Sequence, residues 1–259
     1  MRAYIPTPAT SYFSLGPFKL HFYAICIVVG IVIALFVGRR RYSKNPELLG
    51  DLALYAVPAG VIGGRLYHVL TTPERYFNSN FINIFKIWDG GMGIWGAIFL
   101  GALAALYRLK KLNLLVEFYP IADALAPGIL FAQAIGRLGN WFNGELFGKP
   151  TTLPWAVEIP ISNRPSGYET FNTYHPTFLY ESLWCLAIGI FLLKRKSNGS
   201  GEIFWSYIWL YSLGRLFIEM LRIDYSHRIL GMRFNIFVAI TFILLGVWQN
   251  LKIKKRAIG

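Results

Sequence analysis

Residues 136–148 read GRLGNWFNGELFG, and the reading of the whole chain turns on them. A long apolar run leads up to this stretch. Within thirteen positions the chain then delivers four glycines, two asparagines, Arg137 and Glu145. Charge beside lipid is costly, so an ionisable cluster at membrane depth marks a functional site by default. The glycines permit a sharp turn or a close backbone approach. The arginine offers a rigid fork of donors that suits phosphate or carboxylate. The stretch is expected to be a polar turn at the edge of a membrane, forming a pocket for an anionic headgroup.

The composition supports a membrane setting. Of 259 residues, 55% are hydrophobic and 15% charged, with mean hydropathy +0.44. Soluble chains carry about 25% charged residues. Repeated apolar runs of spanning length make this an all-α polytopic membrane protein. A net charge of +13 would suggest nucleic acid in a soluble protein. Here the basic residues stand at the ends of apolar runs, so they read as topology signals and as attraction to anionic lipid, with no nucleic-acid partner. Cys26 and Cys185 lie inside apolar runs, without metal-like spacing, and read as small buried residues. Residues 1–14 are polar and contain proline, so no cleavable leader is expected.

Seven spans are expected, over about residues 20–37, 49–70, 90–107, 118–135, 177–193, 203–221 and 236–251. The second is interrupted by Pro58, several glycines and Arg65. Residues 149–176 are polar and proline-rich and read as a small extramembranous head lobe, with a short strand possible over residues 155–159. Dense Lys/Arg clusters follow spans one, three, five and seven. The positive-inside rule makes those ends cytoplasmic, with the N-terminus outside and the C-terminus inside. The opening stretch then faces the outer leaflet. Residues 1–259 read as one integral-membrane domain, and no internal repeat is evident.

A second cluster lies in span six, where Tyr211, Arg215, Glu219 and Arg222 are spaced four, four and three apart and share one helical stripe. Glu219 with Arg222 reads equally well as an internal ion pair. Arg215 lies deeper, and Gly214 beside it is expected to open space for a ligand. Arg137 could pair with Asp123, Glu145 or Glu181. Yet Arg137 and Arg215, with Arg65 as a third, exceed what neutralising one carboxylate requires, and converging arginines fit a phosphodiester. Glu145 and Asn140 could orient those forks or bind hydroxyls, and Asn143 adds an amide to the same pocket. A third cluster, residues 175–181 (HPTFLYE), opens span five. His175 could act as a base, although a helix-end hydrogen-bonding role is preferred; Tyr180 and Glu181 are read as supporting partners facing the interior. Tyr23 is a pocket candidate, and His227 is given no role. No metal-ligand spacing, G-x-S-x-G or phosphate-binding loop occurs.

Residues 136–148 resemble the signature of the prolipoprotein diacylglyceryl transferase family. The resemblance extends to GPFKLHFYA (16–24), GGRLYHVL (63–70), WDGGMGIWGA (88–97), IADALAP (121–127), HPTFLYE (175–181) and YSLGRLFIEMLR (211–222). It implies seven spans, an extracytoplasmic head lobe, a bacterial cytoplasmic membrane location, and no metal or dissociable cofactor. It also implies transfer of the diacylglyceryl group of phosphatidylglycerol to the lipobox cysteine thiol of preprolipoproteins, with release of glycerol phosphate. Position by position, Arg137 matches the arginine that binds the lipid headgroup. Asn140 and Glu145 match an essential polar pair, Arg215 a second essential arginine, Tyr211 an essential tyrosine and Tyr23 a tyrosine near the site. Asn143, Arg65, Glu219 and Arg222 complete the expected substrate-binding set. Many members carry a histidine where this chain has Trp95, so the proton acceptor stays open.

Elementary chemistry permits transfer without that histidine. Arginines near a thiol favour the thiolate, and the same arginines stabilise charge developing on a leaving phosphate. Two other classes compete: a multipass transporter or flippase, which releases its lipid unaltered, and a structural membrane subunit, which has no use for stacked Arg, Tyr and Glu on one helix face.

Overall fold

A computed structural model describes residues 4–16, 18–77, 81–87, 90–224, 226 and 228–258. Pro17, Trp88 and Asp89 of the quoted motifs, and His227, lie outside the described residues. The elements run β1 (Ile5–Pro6), β2 (Tyr12–Leu15), β3 (Phe18–His21), α1 (Phe22–Arg41), α2 (Pro46–Thr71), α3 (Glu74–Phe77), α4 (Ile94–Lys111), α5 (Phe118–Asn143), β4 (Val157–Glu158), β5 (Thr173–Tyr174), α6 (Thr177–Leu193), α7 (Glu202–Leu221), β6 (Arg228–Ile229), β7 (Met232–Arg233) and α8 (Phe234–Ile258). Each of the seven expected apolar runs forms a long helix. By length and composition, α1, α2, α5 and α8 are sufficient to cross a membrane, and α6 is a shorter apolar helix. Their outer faces are apolar: Val28, Val32, Phe36, Leu54, Leu183 and Leu244 are all exposed, which suits a hydrocarbon solvent.

The chain forms two compact units, Tyr42–Ile121 and the remainder, Met1–Arg41 with Ala122–Gly259. In the smaller unit α2 packs along α4. Gly63 and Gly96 make this possible, because a Cβ on either would drive into the backbone carbonyl of the other. Pro58 does not interrupt α2, contrary to the expectation from sequence; the helix runs unbroken through it, as membrane helices tolerate when neighbours re-satisfy the freed groups. Arg65, only 7% exposed, donates to the carbonyls of Ile84 (2.7 Å), Gly90 (2.5 Å), Gly91 (3.1 Å), Lys86 (3.1 Å) and Asn83. Its guanidinium also lies over the Tyr76 ring. It therefore fastens residues 83–86 and 90–91 of its own unit.

In the larger unit, α5, α6 and α7 bury Ala126, Leu130, Ala134, Cys185, Ile188, Leu192 and Ile203 together. One end of the bundle is tied by polar groups. Asp123, fully buried, accepts from the amides of Gly201 (3.1 Å) and Phe204 (2.8 Å) and from the Ser197 hydroxyl (2.9 Å). It thereby satisfies first-turn donors of α7 that helix geometry leaves orphaned. Arg41 donates to the carbonyls of Leu193 and Arg195 at the end of α6.

Near the other end sits a small three-stranded sheet. Its strand order is β1-β4-β5, with β1 parallel and β5 antiparallel to the central β4. The strand expected over residues 155–159 is β4; its pairing with the N-terminal segment was not foreseen. Phe147, Val157, Ile159, Tyr174 and Phe178 form its core. The β2–β3 hairpin precedes α1, so the first span starts two residues later than expected.

Candidate functional site

The largest departure from the sequence reading concerns residues 136–148. They are not a turn throughout. Helix α5 continues to Asn143, two turns beyond the expected end, and sets Arg137, Asn140 and Asn143 on the helix. Gly139 serves close approach: a Cβ there would lie 2.7 Å from the Tyr23 ring. The turn comes at Gly144 (φ +61°) and Leu146 (φ 58°), in the left-handed region. Three bonds pin it from outside. Asn163 donates to the carbonyls of Asn143 and Gly144, and Thr177 to that of Leu146.

Glu181 of α6 is the hub of the site. Its carboxylate is 2% exposed and contacts three of the expected residues. Oε1 lies 2.5 Å from Arg137 Nη2 and accepts the Tyr211 hydroxyl at 2.9 Å. Oε2 lies 2.8 Å from Arg215 Nη1. Arg137 also donates to the Tyr211 oxygen at 3.3 Å. Of the alternatives considered for Arg137, Glu181 is the partner, while Asp123 is committed elsewhere. The side chains of Arg137 and Arg215 are 23% and 18% exposed, against 3% for Glu181.

The network continues along α7. Arg215 Nη2 pairs with Glu219 Oε2 at 2.8 Å. Glu219 Oε1 accepts from Arg233 Nε (2.8 Å) and Asn235 Nδ2 (2.9 Å). The suggested Glu219–Arg222 pair is not formed. Arg222 falls on the α7 C-cap with extended backbone, and its fork grips Asp224 at 2.7 and 2.8 Å. Nor does Gly214 leave open space, because the Trp184 indole fills it. Burial alone would raise the Asp224 carboxyl, but the Arg222 fork and nearby Arg233 hold it below the usual carboxylate range.

Asn140 and Asn143 turn their amides to one oxygen of Glu145, at 2.8 and 3.0 Å. The expected polar pair is thus bonded to itself rather than to the arginine forks. His175 Nδ1 lies 3.1 Å from the Tyr180 hydroxyl, which also accepts from the Trp155 indole at 3.0 Å. Burial, reinforced by Lys149, lowers the His175 pKa. The backbone of His175 bonds Gly148, Lys149 and Thr177 at the entry to α6. Arg65 belongs to the other compact unit, where its donors serve loop carbonyls. Sequence reasoning gave Glu181 a supporting role and omitted Arg233, Asn235 and Asp224. One signal for Glu181 was available: it is the single acidic residue inside the apolar run 177–193.

The chain that converges two arginines and a tyrosine from three helices on one buried carboxylate is similar in sequence to known proteins. The family model for prolipoprotein diacylglyceryl transferase matches residues 10–251. The chain belongs to the prolipoprotein diacylglyceryl transferase family. It is 46% identical over 268 residues to a phosphatidylglycerol–prolipoprotein diacylglyceryl transferase of Bifidobacterium adolescentis, covering 95% of this chain and 78% of that protein. It is 49% identical over 239 residues to a like-named protein of Cutibacterium acnes, covering 89% and 80%. A third, from Streptomyces griseus, is 46% identical over 254 residues, covering 95% and 76%.

Proposed function

We infer that this chain transfers the diacylglyceryl group of phosphatidylglycerol to the lipobox cysteine thiol of a preprolipoprotein, the first step of bacterial lipoprotein maturation. In the reaction the thiolate sulfur attacks the glyceryl carbon. A C–S bond forms, the C–O bond to phosphate breaks, and glycerol phosphate leaves with the bonding electrons. The observation that carries the reading is the Arg137–Glu181–Arg215 cluster, where one buried carboxylate fixes the guanidiniums of two arginines whose side chains are partly exposed. Two cations sharing one anion keep a positive charge for a phosphodiester. That charge stabilises the leaving phosphate as its negative charge grows, and favours the thiolate form of an incoming thiol. Tyr211 donates to Glu181 and accepts from Arg137. It holds the fork in register and is within reach to pass a proton between thiol and phosphate oxygen. Asn140, Asn143 and Glu145 form a neighbouring hydrogen-bonding set for headgroup hydroxyls, with Tyr23 beside it against Gly139.

Residues 1–259 act as one transferase domain with seven spans in the bacterial cytoplasmic membrane. The N-terminus and the lobe face outward and the C-terminus inward. The basic residues closing α1 and α4, the cluster after α6 and the tail of α8 support this orientation. The decisive experiment incubates purified protein with phosphatidylglycerol vesicles and a lipobox peptide. A peptide mass increased by one diacylglyceryl group, with equimolar glycerol phosphate, is expected. Intact lipid bound or moved across the bilayer, with unmodified peptide, would overturn the transferase reading in favour of a transporter.

A further inference from the structure

The ion network does not end at the reacting groups. Arg137, Arg215, Arg222 and Arg233 are paired with Glu181, Glu219 and Asp224. Four guanidiniums face three carboxylates, leaving one positive charge in excess. Where that excess lies depends on Arg233, a residue at the junction of β7 and α8. Glu219 is 1% exposed, and its two oxygens are divided between helices. Oε2 takes Arg215, while Oε1 is occupied by Arg233 Nε and Asn235 Nδ2. Arg233 itself is anchored by donating to the Asp224 carbonyl at 2.7 Å and lying 3.3 Å from the Asp224 carboxylate. If Arg233 were absent, Glu219 would turn its uncompensated charge on Arg215. The network would then be neutral, and nothing would remain to attract an anionic lipid.

We propose that Arg233, with Asn235, is a positioning residue that neutralises Glu219 from α8 and so reserves the charge of Arg215 for the monoanionic phosphodiester of the lipid substrate. It touches no reacting atom. It acts through Glu219, so its loss should weaken lipid binding and, through the thiolate, lower kcat, while leaving the peptide KM alone. This inference rests on the transferase reading above.

The test measures transfer by full-length protein in vesicles against the mole fraction of phosphatidylglycerol, and separately against lipobox peptide. In Arg233→Gln the KM for lipid is expected to rise on the order of 10-fold, the scale of a typical coupling between two sites, with the peptide KM unchanged. Arg233→Lys, which keeps the charge, should recover most of the loss. Arg228→Gln removes the same charge from the exposed strand opposite Arg233 in the hairpin and should match wild type. The double variant Arg233→Gln/Glu219→Gln removes one charge of each sign, restores the excess, and should have a lower lipid KM than Arg233→Gln. It also leaves no buried carboxylate uncompensated, so it remains informative if Arg233→Gln alone does not fold. An unchanged lipid KM in Arg233→Gln, an equal rise in both KM values, or a double variant no better than wild-type-minus-Arg233 would overturn the proposal. Absence of transfer by the wild-type protein would instead remove the transferase reading itself.

Discussion

At the scale of single residues, the site is an arrangement of charges whose value depends on pairing. Arg215 uses both terminal nitrogens, one on Glu181 and one on Glu219. A lysine supplies the charge but not the fork. Arg215→Lys is expected to lower the rate of transfer on the order of 100-fold, the usual loss for one preorganised donor at a developing charge, in the vesicle assay; full activity would remove bidentate geometry from the mechanism. Glu181 is more exposed to consequence. Removing it leaves Arg137 and Arg215 facing each other without their shared anion. Breaking a buried pair in this way costs about 3–5 kcal/mol, so Glu181→Ala should lose both activity and a measurable part of its Tm in detergent. Asp224 gives a pH test outside the helices. Its folded pKa is lowered, so its stabilising effect is fully present above the ordinary carboxylate value of about 3.9. It is lost as pH falls through the lower folded value. The Tm difference between wild type and Asp224→Asn should be open at pH 7 and close as pH is taken towards 2.

At the scale of elements, helix α5 and its glycines decide whether the site exists. Two glycines three residues apart do different things. A Cβ on Gly136 meets nothing within 4 Å, whereas one on Gly139 meets the Tyr23 ring at 2.7 Å and its Cα at 3.1 Å. Gly136→Ala should therefore be neutral or stabilising, by up to about 1 kcal/mol from helix propensity. Gly139→Ala should cost about 1–3 kcal/mol through overpacking and should displace Tyr23. Thermal unfolding of the two variants, side by side, measures the contrast. The glycine content of this stretch suggested a turn because glycine permits one. In α5 Gly139 instead permits the helix to continue while the Tyr23 ring comes close, and of the four glycines Gly144 alone adopts positive φ. Composition cannot distinguish these uses, because both require only the absence of a Cβ.

At the scale of the whole molecule, seven apolar runs, their order and their basic ends were legible because the hydrocarbon solvent imposes a length and a charge rule on the sequence. The proposed orientation rests on the same rule and can be measured. In a Cys26→Ala background, Gly167→Cys in the lobe should react with an impermeant thiol reagent applied from outside, and Asn198→Cys between α6 and α7 only after permeabilisation; the reverse pattern would invert the topology. The signature, the stripe of Tyr211, Arg215 and Glu219, and the family itself were also legible, since each is local along the chain. The partners were not. Nothing in the sequence order places Glu181 between Arg137 and Arg215 or brings Arg233 and Asn235 to Glu219. Those pairings join residues of different helices and loops, so they depend on how the helices pack and on which carboxylate each arginine reaches first. The sequence by itself determined the solvent, the number of long helices and the chemistry available. Tertiary structure alone decided which charges cancel and where one positive charge is left over, because electrostatic energy depends on distances that sequence spacing does not contain.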